Sequence, residues 1–346
     1  MKIGWQILLA AAVLLSVASP AGAEEDKSAG DWMRDAQVQV FIENDKWHRT
    51  DGNYTNGLKL GVGIHEKRVP KEVGGALRGF LDEFSKKSDE MHFGFFIGQN
   101  MYTPNDITIA APQPFDRPWA GWFYAGLVGQ RVSKVEGSHT LDTLEIDIGV
   151  VGENSQADNV QTWWHRVIGA ERPAGWANQI PNEPAFVVSY LHKRRFGDSP
   201  DGFDFIPHAG ASLGTVMTLA RAGGIVRLGF NKTGFGPDTI EPGGAMLQSA
   251  RQSYGPGARD SLEAFVFAGL DARLVAYNIF LDGTVFHDSP SVDKRPFVYD
   301  VLGGVSARWK FLRVSLTSVL RSEEFTTPVG GGGKQRFHSL NVGLEF

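Results

Sequence analysis

The sequence predicts an all-β protein, a transmembrane antiparallel β-barrel of 12 strands with a short helix in one extracellular loop. Three observations carry that reading. The chain opens with an export signal. The rest alternates apolar with polar or glycine residues at a period of two, and the last such segment ends on an aromatic, Phe346.

Composition agrees and removes several function classes. The 346 residues include 42 glycines, 23 Phe, 9 Trp and 7 Tyr, and glycine stands well above the roughly 7% of ordinary chains. The chain has no cysteine, which excludes disulfide scaffolds, thiol catalysis and cysteine-ligated zinc or iron–sulfur centres. A net charge of −5 and a pI near 6.0 argue against a nucleic-acid binder, which would be basic.

Residues 1–23 read as a secretory signal. Lys2 precedes an apolar run from Ile7 to Val17, and Ala21-Gly22-Ala23 forms a small-residue cleavage site before Glu24. That run is well short of the ~20 residues that span a bilayer as a helix. Residues 24–346 read as one barrel domain.

Alternation follows along the chain. Leu58, Leu60, Val62 and Ile64 interleave with Lys59, Gly61, Gly63 and His65; Leu144, Ile146, Ile148 and Val150 interleave with Glu145, Asp147 and Gly149. Leu312, Val314 and Leu316 repeat the pattern around Arg313 and Ser315. Each strand therefore has one apolar and one polar face. Alternation alone fits a soluble sandwich as well as an outer-membrane barrel. The C-terminus separates them: Leu340, Val342 and Leu344 run in phase to Phe346, like the terminal strand of bacterial barrels that the barrel assembly machinery recognises. Trp122, Tyr124 and Trp309 are expected at the membrane interfaces.

Thirteen alternating segments can be drawn: 36–45, 54–66, 91–101, 121–132, 140–152, 184–196, 203–218, 222–232, 260–271, 273–286, 297–309, 311–324 and 335–346. The ninth and tenth share one unbroken phase from Leu262 to Ala276 with no turn residue between them, and merging them gives the even count of bacterial barrels. With both ends periplasmic, 46–53, 102–120, 153–183, 219–221, 287–296 and 325–334 are extracellular, and Trp309-Lys310-Phe311 is a periplasmic turn. A long periplasmic stretch, 233–259, has no assigned role. Residues 71–84 (Val73, Leu77, Phe80, Phe84) have helical spacing.

The chemically suggestive residues gather at the extracellular rim. Glu43-Asn44-Asp45 ends the first strand, Tyr54-Thr55-Asn56-Gly57 begins the second, and Gln99 and Tyr102 end the third. In loop 153–183, Gln161, His165 and Ile168 fall on one helical face, and Trp164 with Ile168 is placed to pack that helix on the wall.

These segments resemble a known family, the lipid A 3'-O-deacylases of Gram-negative outer membranes. The resemblance lies in ENDKWHRTDGNYTNGLKLG (Glu43 to Gly61), GQNMYTP (Gly98 to Pro104) and VQTWWHRVIGAERPAGW (Val160 to Trp176). LDGTVFHDSPSVDKRPFV (Leu281 to Val298) and RSEEF (Arg321 to Phe325) extend it along the mature chain. It implies a 12-stranded barrel in the outer membrane that hydrolyses the acyloxyacyl ester at the 3' position of lipid A. It implies a site between barrel wall and loop helix, with a histidine that activates water and a calcium ion that holds the oxyanion. By the same resemblance His165 is the catalytic histidine, Asn44, Thr55 and Gln161 share the catalytic site, and Asp45 and Glu171 are metal ligands. Lys46 departs from the family pattern, which has a second aspartate there, and so changes the charge beside the metal.

The chemistry is coherent residue by residue. An imidazole with a pKa of about 6.5 can accept a proton from water near neutrality, and hard calcium prefers carboxylate and carbonyl oxygens. A lone histidine on a loop helix is by itself more often structural; the matched string is what singles out His165. The other histidines (48, 65, 92, 139, 192, 208, 287 and 338) show no metal-ligand spacing. Gly330 to Lys334 lacks the Ser/Thr and helix of a phosphate loop and reads as a flexible extracellular loop. Phe337-His338-Ser339 lacks the H-x-S-N-G string of outer-membrane phospholipase A and reads as ordinary strand. Lys46, Arg49, Arg166 and Arg172 are a solvated rim by default; contact with lipid A phosphates is the sharper hypothesis. The expected partners are lipopolysaccharide, outer-membrane lipids and the assembly machinery at Phe346, with no nucleic acid and a monomeric state. The alternative is a non-enzymatic barrel, porin-like or lipopolysaccharide-binding, because fold does not fix function.

Overall fold

A computed structural model describes residues 36–45, 52–65, 75, 79, 90–135, 138–197, 199–241 and 261–345. The expected signal peptide, the helical spacing at 71–84 apart from Gly75 and Gly79, and Lys46, Arg49 and Phe346 lie outside the described residues. Twelve strands form the barrel: β1 (Gln37–Asn44), β2 (Asn53–His65), β3 (Glu90–Thr103), β4 (Ala120–Val135), β5 (Ser138–Val151) and β6 (Glu183–Arg195). They continue as β7 (Gly202–Gly214), β8 (Met217–Phe230), β9 (Glu263–Asn278), β10 (Phe297–Trp309), β11 (Leu312–Arg321) and β12 (Gln335–Glu345). Each pairs antiparallel with its neighbours in the chain, and β1 closes the ring against β12, Val40 opposite Val342.

The period-two pattern sorts the two faces. Leu58, Phe95, Phe123, Leu127, Leu270 and Leu274 are exposed on the outside, an apolar belt with no favourable place in water but a good one in lipid. The intervening side chains fill the interior as ion pairs: Lys59–Glu145 at 2.6 Å, Arg227–Asp204 at 2.7 Å, Arg313–Glu263 at 2.8 Å and Arg321–Asp300 at 2.9 Å. Charges enclosed this way are held only because each has its partner. Above them an aromatic layer includes Tyr102 stacked on Phe280 at 3.9 Å and Trp122 stacked on Tyr124 at 4.0 Å.

That layer corrects one expectation. Trp122 and Tyr124 are buried inside, not at the membrane interface; Phe123, in the other phase, takes the lipid face. An alternating strand whose residues are aromatic in both phases does not reveal which phase turns outward. Trp309 is exposed as expected.

The ninth strand is continuous, as the unbroken phase predicts, but stops at Asn278. There the Asn278 side chain accepts the Phe280 N–H at 3.0 Å and caps a short helix at Ile279–Asp282 that turns inward. The link between β7 and β8 is at residues 215–216, not 219–221. The strand continues through Leu219, which pairs with Ser212, and Thr218 Oγ1 donates to the Gly214 carbonyl at 3.2 Å to hold the turn.

The start of the unexplained stretch 233–259 also has a place. Residues 231–241 fold back into the barrel as a plug, where Ile240 N–H donates to Glu43 at 2.8 Å and Arg321 pairs with Glu241 at 3.0 Å. Lys193 pairs with Asp238. Residues 242–259 lie outside the described residues.

Candidate active site

The loop between β5 and β6 forms the helix α1 (Ala157–Ile168), lying on the outer wall at the rim. Its start docks on β4 at Gly121, where a Cβ would sit 2.1 Å from Ser155 Oγ and 2.3 Å from the Ala157 Cβ. Only glycine admits that approach. Gln99 Nε2 on β3 donates to the Ser155 carbonyl at 2.7 Å and fixes the same end.

Ala157, Gln161 and His165, four apart, are the buried stripe of α1, one helical face. The expectation that Trp164 and Ile168 press the helix to the wall is therefore revised: both are half-buried. Gln161 turns inward with Trp176 Nε1 donating to its Oε1 at 2.7 Å, which satisfies the oxygen, while its buried Nε2 has no partner among the described residues. Trp176, Trp119, Met101 and Ala157 pack together beneath the helix.

The string HRVIGAE has a geometric meaning. Gly169 ends α1 at φ 66°, a left-handed conformation that favours glycine. The chain reverses there, Ala170 N–H donating to the His165 carbonyl at 2.9 Å. That reversal brings the Glu171 carbonyl oxygen to 2.5 Å from His165 Nδ1. A carbonyl only accepts, so Nδ1 carries the proton and the basic lone pair is on Nε2.

The strand ends supply the facing groups. Asn44 Nδ2 donates to the Thr55 carbonyl at 3.1 Å, and Asp45 Oδ2 accepts the Gly52 N–H at 2.7 Å. A bulge between Tyr54 and Asn56 shifts the register at Thr55, whose hydroxyl lies 2.7 Å from that of Thr103. Bulges re-aim side chains in this way.

Asn44, Thr55, Gln161 and His165 line one cleft of about 200 Å³, walled by Ile42, Leu58, Leu60, Met101, Trp163 and Trp164. Ile42, Leu58 and Leu60 belong to the outward face of β1 and β2, so the cleft opens along the lipid side of the wall and not into the lumen. Asp45 and Glu171 line an adjoining polar cavity of about 340 Å³ with Asn53, Asn105 and Asp106. The six sequence-derived residues thus divide four and two between neighbouring cavities.

No cluster of three or more His, Cys, Asp or Glu among the described residues is arranged to hold a metal. The acceptors that Asp45, Glu171, Asn53, Asn105 and Asp106 offer this cavity are nonetheless oxygens, while Lys334 and Arg336 on its exposed side carry positive charge. Asn53 Oδ1 is buried with no hydrogen-bond donor among the described residues, the condition in which a buried acceptor takes a cation. The set fits a hard ion such as calcium better than a soft one.

Arg166 and Arg172 are exposed and line neither cavity. Gly121 shapes the site yet escapes sequence reasoning, and Gln99, Thr103 and Trp176 stand in the rim segments or matched strings with no role assigned to them. His192, His208 and His287 are paired with Asp142, Asp271 and Glu183.

The model of a family described as Outer membrane protein LpxR matches residues 7–346. The chain belongs to the outer membrane protein LpxR family. It is an outer-membrane barrel. The solved structure of LpxR from Salmonella typhimurium shares the fold at a TM-score of 0.70 and 21% identity, over 90% of this chain and 100% of that one. The β domain of the Bordetella autotransporter BrkA gives a TM-score of 0.44 at 10% identity, over 90% of this chain and 98% of that one. The KdgM porin gives 0.40 at 6% identity, over 90% and 99%. No curated protein sequence matches the chain.

Proposed function

We propose that this LpxR-family protein is a lipid A deacylase that hydrolyses the 3'-linked acyloxyacyl ester with water activated by His165. One observation carries the reading: an apolar cleft on the lipid side of the wall ends at a histidine whose Nδ1 is fixed by the Glu171 carbonyl. An amphiphile anchored in the outer leaflet can lay an acyl chain against Ile42, Leu58 and Leu60 while its ester reaches the rim.

His165 Nε2 takes the proton from water as the oxygen attacks the ester carbonyl and returns it to the sugar oxygen as the acyl C–O bond breaks, a role typically worth about 10²–10⁴-fold. The Glu171 carbonyl keeps the ring oriented and stabilises the imidazolium that forms. Asn44, Thr55 and Gln161 shape the polar end of the cleft and orient the ester. Asp45 and Glu171 would hold calcium, with Asn53 Oδ1 beside them; the ion, when bound, offsets negative charge developing at the ester oxygen. The Ser155 hydroxyl, directed to the Gly152 carbonyl at 2.6 Å, serves the helix and not the chemistry.

The packed interior, with its ion pairs, aromatic layer and plug, speaks against the porin-like alternative. Mass spectrometry of lipid A from cells expressing the protein, beside cells expressing His165→Ala, tests the reading. Loss of the 3' acyloxyacyl mass with the native protein only is expected. Unchanged acylation by folded native protein in calcium would sink it.

A further inference from the structure

The polar cavity beside the cleft holds more than the carboxylates. Lys334 and Arg336 line it together with Asp45 and Glu171. Arg336 lies two residues before His338, the cross-strand partner of Asn44. Side chains two apart share a face of a strand, so Arg336 stands on the Asn44 side of the wall, one step beyond the end of β1. Lys334 comes from the glycine-rich loop that leads into β12.

These cations differ from their kin. Arg117, Arg131, Arg227, Arg273, Arg313 and Arg321 are each buried in an ion pair. Lys334 and Arg336 are exposed and pair with no carboxylate among the described residues. An apolar cleft and a polar, cation-bearing cavity therefore adjoin at Asn44-Asp45. That division matches an amphiphile whose scissile ester sits between hydrocarbon and headgroup. Guanidinium and ammonium groups at the mouth of a polar cavity suit a phosphate.

We propose that this cavity is the headgroup subsite, in which Lys334 and Arg336 bind the phosphate of a phosphorylated saccharide while the acyl chain occupies the cleft. The assignment deepens the deacylase reading and rests on it for the identity of the amphiphile. It moves phosphate recognition from Arg166 and Arg172 to residues far along the chain.

Binding tests it separately from turnover. In a His165→Ala background, lipid A and the same lipid after phosphatase treatment are titrated in one detergent, with folding followed by heat-modifiable electrophoretic mobility. Lys334→Gln and Arg336→Gln are each expected to weaken binding of the phosphorylated lipid about tenfold, the scale of a lost charge-assisted contact, and to leave the dephosphorylated lipid unchanged. Equal weakening of both lipids, or of neither, overturns the subsite. Displacement by inorganic phosphate at a concentration matching the lipid would overturn a headgroup site in favour of a free-anion site. Absence of turnover by the native protein would strike the deacylase reading while leaving this binding difference intact.

Discussion

His165 Nδ1 lies 2.5 Å from the carbonyl oxygen of Glu171, across the turn made by Gly169. A glutamate six residues on thus contributes first through its backbone: it sets the histidine's tautomer, while its exposed side chain lines the neighbouring cavity. The spacing in HRVIGAE is the length of one helix end plus its reversal.

Gly169→Ala tests that arrangement. Among the described residues no atom outside its chain neighbours and its own helix lies within 4 Å of the added Cβ, so the cost is the φ of 66°, about 1–2 kcal/mol for a residue with a side chain. Deacylation kinetics should show kcat reduced several-fold with KM nearly unchanged, because ring orientation and not the cleft is disturbed. An unaltered kcat would contradict the role given to the turn.

Gly121→Val tests the docking of α1. Its Cβ would fall 2.1 Å from Ser155 Oγ and 2.3 Å from the Ala157 Cβ, and backbone and side chain there cannot both stay. Activity should drop by more than tenfold, the scale on which misplacing a catalytic group acts. The folded barrel should keep its heat-modifiable mobility, since Gly121 faces outward and the lumen is untouched.

Calcium removal is expected to abolish turnover, and calcium added back should restore it. Asp45→Ala should then raise the calcium needed for half-maximal activity by about 10-fold or more, as loss of a metal-ligand shell contact does. Full activity after exhaustive chelation would remove the ion from the mechanism.

Glu324 predicts a pH effect on stability. Burial alone would push its carboxyl up, but Arg321, Arg117 and Arg273 with the Gln335 amide hold it below the ordinary value. A lowered native pKa stabilises the fold above the unfolded value of about 4.3 and is lost as pH falls through the native one. Urea unfolding in detergent should show the native protein losing more stability than Glu324→Gln between pH 6 and 3, with a difference on the order of 1–3 kcal/mol. Parallel losses would contradict the assigned network.

Most of the barrel is legible because a strand has only two faces and lipid demands that one be apolar. Leu262 to Ala276 shows it: a single unbroken phase with no turn residue marks one strand, and the strand is continuous from Glu263 to Asn278. Trp122 and Tyr124 show the limit, since residues of both phases are aromatic and register alone decides which set enters the lumen. The turn at 215–216 has no Gly, Pro, Asn or Asp in its two residues, so local chemistry did not mark it.

The candidate site divides in the same way. His165, Gln161, Asn44, Asp45, Thr55 and Glu171 stand in recognisable strings, and the sequence by itself determined the barrel, its strand count and those six positions. Only the tertiary structure decided that four share an apolar cleft on the lipid side while two line a polar cavity. It alone brought Gly121, Gln99 and Trp176 under the helix and Lys334 and Arg336 beside Asp45. The physical reason is separation along the chain. Local periodicity records which face a residue occupies, but closure of β12 on β1 joins residues nearly 300 positions apart, and no local pattern carries that pairing.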